Sequence, residues 1–75
     1  MRAEAVDNAT GDYAARYWEL SAEAQRELDE RLANVRNDYE AGGISIREAA
    51  DRRVELLEKH LDHLRELRVR YLGEQ

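Results

Sequence analysis

One internal stretch spells a chain reversal. "EAGGISIREA", residues 40–49, sets two adjacent glycines and a Ser-x-x-Glu pattern between two long segments of helical periodicity. Gly42 or Gly43 can take the left-handed conformation that ends a helix. Ser45 and Glu48, at the N-cap and third positions of the next helix, can satisfy each other's backbone N–H groups. A loop this short makes neighbouring helices antiparallel. The fold class is therefore all-α: an antiparallel helical hairpin with helices over about 13–41 and 46–72, a turn at 42–45 and an additional N-terminal helical segment. A β-branched residue at Gly43 should damage this turn more than one at Gly73, which merely stops a terminal helix that can fray.

The second helix carries a wide apolar arc. Ile46, Ala50, Leu57, Leu61, Leu64 and Tyr71 fall in one stripe at 100° per residue. Val54 and Leu72 flank one side of it, Ala49 and Leu67 the other, giving an arc of about 140°. Glu48 with Arg52, Glu55 with Lys59, and Glu66 with Arg70 are i,i+4 pairs in the favourable orientation. Arg65, Arg68 and Arg70 crowd the last turns, where the helix dipole favours cations. The first helix shows a narrower seam at heptad-like spacing, Leu28, Leu32, Val35 and Tyr39. Tyr13, Tyr17, Leu20 and Ala24 continue it backwards. Residues 13–41 read as one helix or as two joined near Ser21. "NATGDY" is a turn signal with Thr10 or Asp12 available as a cap, so residues 1–12 are expected to be flexible or weakly helical.

The segment "GGISIREAADRRVELL" follows the spacing G-x-I-[ST]-x-x-E-φ-x-x-[KR]-[KR]-x-x-L-L, where φ is an apolar residue. It resembles the SHOCT domain, a short bacterial helical hairpin, and a related actinobacterial hairpin with a Gly-x-(Leu/Ile)-Thr turn. Gly42, Ile44, Ser45, Glu48, Arg52, Arg53, Leu56 and Leu57 match the turn and second helix, while Leu28, Leu32 and Val35 match the seam of the first. The resemblance covers residues 28–57. It departs at Ala49, where the family carries a large aromatic residue that should anchor the turn. The resemblance implies a small oligomerising or interaction module attached to something else.

Composition narrows the function classes. Seventy-five residues make a single domain, residues 13–75 after the N-terminal stretch, near the lower limit for a self-sufficient core. Charged residues are 39% and proline is absent, which favours long solvated helices. With no cysteine, neither a disulfide framework nor a thiolate metal site can form. Apolar runs are too short to span a membrane, and "MRAEAVDNAT" lacks the apolar core of a signal peptide, so a cytoplasmic protein is expected. Residues 1–42 carry five Arg against ten acids, and residues 43–75 carry seven basic residues against seven acids. That balance argues against general nucleic-acid binding, which needs a basic surface. Eleven Arg against one Lys fits a GC-rich coding genome such as that of an actinobacterium or its phage.

No catalytic constellation is visible, and no cofactor is expected. The two serines, Ser21 and Ser45, are explained as caps. "AGGIS" falls short of a phosphate-binding loop, although helix N-termini attract anions. His60 and His63, one turn apart beside Asp62 and Glu66, could supply two metal ligands where a site needs three or four. The chain therefore reads as a non-enzyme without a metal. Tyr39 and Tyr71 close the ends of the helical core. Tyr13, Tyr17 and Trp18 cluster where other apolar residues are sparse, and are expected to contact a partner.

The function expected is a non-enzymatic protein–protein interaction or oligomerisation module, a small regulatory or accessory protein. An acidic inhibitor, or DNA mimic, acting on a nucleic-acid enzyme is the alternative. The acidic N-terminal half motivates it, but Arg16, Arg26, Arg31 and Arg36 interrupt the carboxylates. The narrow seam of the first helix cannot cover the wide stripe of the second. With no disulfide or metal to help, a helical-bundle homodimer is expected, with another protein as target. The competing arrangement is a three-helix monomer in which the N-terminal aromatic segment folds over the stripe.

Overall fold

The computed structural model describes the backbone of residues 2–73 and the side chains of residues 13–73. The first helix, α1 (Arg2–Glu40, 39 residues), runs without interruption. It includes the stretch expected to be flexible or weakly helical, apart from Met1, which lies outside the described residues. The reason is cooperative. Ala3, Ala5 and Ala9 are strong helix formers, and one interior glycine, Gly11, costs only about 1 kcal/mol relative to alanine. That is too little to stop a helix already propagating from a packed segment. Ser21 does not cap a second helix either. It lies mid-helix, in line with Leu28 and Val35 seven and fourteen residues on. Because α1 never bends back, the three-helix arrangement is not adopted.

The Oγ of Ser21 is buried without a hydrogen-bond partner. Ser21→Ala removes that unsatisfied group and improves helix propensity, so it should raise stability by about 0.5–1 kcal/mol, measurable by urea denaturation.

Two local devices make the reversal. The end of α1 is a Schellman motif: Gly43 N donates to Asp38 O at 2.9 Å and Gly42 N to Tyr39 O at 3.0 Å. This pattern places the left-handed residue at Gly42, with φ +82°. Gly43 has ordinary φ, so the strained position is Gly42 rather than Gly43. A Cβ at Gly43 would lie 3.4 Å from Asp38 O, an ordinary contact, while Gly42 has open space and an unfavourable φ. Gly42→Ala should cost about 1–2 kcal/mol, and Gly43→Ala much less; chemical denaturation of the two variants compares them directly.

The second helix, α2 (Ile46–Leu72, 27 residues), starts with a complete capping box. Glu48 N donates to Ser45 Oγ at 3.1 Å, and Ser45 N to Glu48 Oε1 at 3.4 Å. Half-buried Ile44 and buried Ala49 occupy the two positions of a hydrophobic staple around that cap. At its far end Gly73, φ +68°, closes α2 through a 3.2 Å bond to Val69 O.

The helices pack antiparallel along one seam. Ala24 and Leu28 of α1 and Ala49 and Leu67 of α2 are buried, and among the described residues no side chain is completely enclosed. An ion pair, Arg52 to Asp38 at 3.9 Å, crosses between the helices. It takes Arg52 away from the expected partner Glu48, whose carboxylate caps Ser45 instead. The pairs Arg16–Glu19, Arg36–Glu40 and Arg65–Asp62 are local to one helix and exposed, each contributing a few tenths of a kcal/mol at most. Burial along the seam must therefore supply the stability. α1 is 12 residues longer than α2 (39 against 27), so its N-terminal end projects past Leu72 by about 18 Å. The molecule is a flat bar of 61 × 21 × 10 Å.

Candidate functional site: an uncovered apolar face

Which residues of α2 meet α1 decides what is left over. Ala49 and Leu67 are buried there, and Leu56, His60, Leu64 and Tyr71 are half-buried. The contact is thus turned from the centre of the expected stripe toward the flank holding Ala49 and Leu67. The seam shows the heptad relation Ala49 to Leu56 and His60 to Leu67, a signal that a 100° projection blurs. Ala49, a small residue, is buried in that seam beside the turn.

The rest of the arc stays in water. Ile46 is 64% exposed, Leu61 58%, Val54 54%, Leu72 39% and Leu57 36%, and Ala50 is exposed with them. Stepped at 100° per residue, their centre lies about 100° around α2 from the seam. Of the residues expected to form a core or self-association surface, Leu28 is buried and Leu32, Val35, Leu64 and Tyr71 are half-buried. Tyr39, Ile46, Ala50, Leu57 and Leu61 are exposed.

α1 adds to the same side. A groove of about 670 Å³ beside the turn is lined by Leu32 and Tyr39 of α1 and by Ile46, Ala50 and Arg53 of α2. Trp18, Leu32 and Tyr39 recur at multiples of seven residues, so they run along one edge of the seam. Trp18 is 70% exposed and Tyr13 58%. Tyr17 turns partly into the seam, its ring 5.7 Å from that of Trp18 in an edge-to-face arrangement at 70°. The aromatic cluster is thereby split: Tyr17 packs within the hairpin, while Trp18 stands clear on the apolar side.

The opposite side of the hairpin is charged. A smaller groove of about 250 Å³ is lined there by Glu27, Arg31, Lys59, His60 and His63 together with seam residues. His60 is half-buried and His63 exposed. Among the described residues, no group of three or more His, Asp or Glu is placed to hold a metal ion. No described helix is long and apolar enough to cross a membrane. One broad face is thus charged, while the other carries the exposed apolar stripe of α2 beside a groove whose α1 wall also holds Asp29, Arg36 and Glu40.

Comparison with protein-family models, with curated proteins and with solved structures finds no match to this chain.

Proposed function

We propose that this chain is a self-association module, a small non-enzymatic accessory or regulatory protein that works as a homodimer. In it, two hairpins close their apolar faces into a four-helix bundle and present the charged faces outward toward a protein target. The observation that carries this reading is the uncovered apolar face. Trp18, Tyr39, Ile46, Val54, Leu57 and Leu61 together expose on the order of 700 Å², close to the ~800 Å² each partner contributes to a standard interface. A monomer rarely leaves a patch that large in water. The hairpin alone has a small core, Ala24, Leu28, Ala49 and Leu67 among the described residues, so covering the face adds stability that the seam supplies only sparingly. A second copy is the one partner of matching apolar chemistry that accompanies the chain wherever it is made. The left-handed Gly42 and the Ser45–Glu48 capping box support a SHOCT-like hairpin as the type of module proposed, with Ala49 as its departure.

Sedimentation equilibrium at micromolar concentration tests the proposal. It should give twice the 8.7 kDa chain mass, with a melting temperature that rises with protein concentration. Monomer mass with a concentration-independent melt would overturn it.

A further inference from the structure

We infer that the two copies close with their turns at opposite ends, α2 packing antiparallel on α2 of the second copy about a two-fold axis level with position 59. This assignment rests on the homodimer reading and adds to it an orientation and a register.

The orientation follows from where the apolar side chains stand. Ile46, Val54, Leu57, Leu61 and Leu72 are all exposed and all belong to α2. Their stripe lies about 100° around that helix from the seam, so it points out of the broad side of the hairpin. The same side of α1 is mostly polar. Asp29, Arg36, Asn37 and Glu40 line its wall of the groove beside the turn. Along that wall Gln25 donates to Asp29 at 3.0 Å, and Arg36 pairs with Glu40 at 3.3 Å.

Two flat hairpins can close face to face about a two-fold axis in two ways. An axis parallel to the helices puts both turns at one end and lays each α2 on the other copy's α1. The leucines of the stripe would then desolvate a row of amide, carboxylate and guanidinium groups. An axis across the helices puts the turns at opposite ends and lays α2 on α2 and α1 on α1. Apolar stripe then meets apolar stripe, and the polar walls of α1 meet each other, with Trp18 and Tyr39 in the same layer.

The register follows from the order of residues along the stripe. Ile46 and Leu72 lie thirteen residues either side of position 59, and Leu57 and Leu61 lie two. With the axis at that level, each Ile46 stands over the second copy's Leu72 and each Leu57 over its Leu61. Ala50, the smallest side chain of the stripe, and Arg68, at the same angle around α2, lie nine residues either side. The aliphatic stem of Arg68 can therefore cross the second copy's Ala50 while its guanidinium reaches water. On the outer flank Asp51 falls opposite the second copy's Arg65, offset by about 3 Å along the helices. This opposite-charge pair occurs twice per dimer. Glu58 meets its own counterpart on the same flank, but it is exposed, and solvent screens the repulsion.

The chain has no cysteine, so a nitroxide label on Ala41→Cys is unique. Ala41 is exposed at the turn. The turn lies about 15 residues from the axis, so the two labels should stand about 45 Å apart in the dimer by pulsed electron paramagnetic resonance. Turns at one end would hold the labels within about 25 Å, since packed helices are about 8–10 Å apart. Asp51→Arg sets like charges across the rim and should weaken dimerisation about fivefold, and adding Arg65→Asp should restore it. The two positions are 14 residues apart on one helix, about 21 Å, so such rescue arises only across the interface. Helix content by circular dichroism should be unchanged in every variant. A dimer with labels within about 25 Å, or additive losses at Asp51 and Arg65, would overturn the assignment while leaving self-association standing. A monomer at every concentration would overturn both.

Discussion

Leu67→Asp should abolish the cooperative thermal transition of this protein. Leu67 is the most buried side chain described, at 4% exposure, in the seam between α1 and α2. Replacing it removes one of the four buried apolar residues among those described and sets a carboxylate where water cannot reach it. Loss of a leucine from a packed seam costs about 2–5 kcal/mol. An unpaired buried charge adds several more, because desolvation penalises the ionised form. Small domains hold roughly 5–15 kcal/mol in total, and this hairpin, with no enclosed side chain, belongs at the lower end. The far-ultraviolet dichroism at 222 nm should fall to the level of a partly helical, non-cooperative chain at 25 °C. Arg65 lies close in sequence but on the solvated side of α2, paired with Asp62, so it is not placed to neutralise the new charge. A melt like that of the unsubstituted protein would mean that the seam of α2 has been assigned to the wrong flank of its apolar arc.

That flank is where reading from residues alone stopped. The turn was legible because capping is local: Ser45, Glu48 and the two glycines carry their geometry in their own chemistry. Which glycine takes the left-handed conformation was not, since both lack a Cβ. The 6→1 bond from Gly43 N to Asp38 O decides it by making Gly42 the residue in between. The helical nature of residues 13–40 and 46–72 followed from periodicity. The start of α1 did not, because Asn8, Thr10 and Gly11 are weak breakers, and cooperativity outvotes them in a helix continuous with a packed segment.

The candidate site was half legible for a related reason. An arc about 140° wide offers more apolar surface than one neighbouring helix can cover, so periodicity shows that something remains exposed without showing which part. Packing resolves it through residue size. Ala49 and Ala24 allow close backbone approach, so the seam runs along their line and draws in Leu56 and His60. His60 looked like a border residue because imidazole is polar, yet its ring body serves as a seam filler. Ile46, Leu57 and Leu61 looked central because they are large, and they are the residues left facing out. Trp18 and Tyr17 are neighbours in sequence but 100° apart around α1, and for that reason they part company.

Leu61→Asp should convert the protein to a monomer, and Asp62→Ala should not. Leu61 is 58% exposed in the single hairpin, so an aspartate there meets water and disturbs no contact within the chain. In the proposed dimer the same position lies on the closed apolar face and is buried. The substitution occurs twice per dimer, and each carboxylate is set in a desolvated interface. Each loses a leucine contact and gains an unpaired charge, so hot-spot losses of 2 kcal/mol or more are expected on both sides. Together these weaken association by at least a hundredfold. Asp62, one residue on, is exposed on the solvated side of α2, where its pair with Arg65 at 3.1 Å has about 70% of each side chain in water. Removing it should shift stability by no more than about 0.5 kcal/mol and leave the mass in solution unchanged. At micromolar concentration Leu61→Asp should sediment as a monomer, with a lower melting temperature that no longer depends on concentration. Asp62→Ala should sediment and melt as the unsubstituted chain does. The contrast with Leu67→Asp separates the two faces of α2: one substitution destroys the hairpin itself, the other only its pairing. If Leu61→Asp remained dimeric with an unchanged dissociation constant, the exposed stripe would not be the surface that joins the copies.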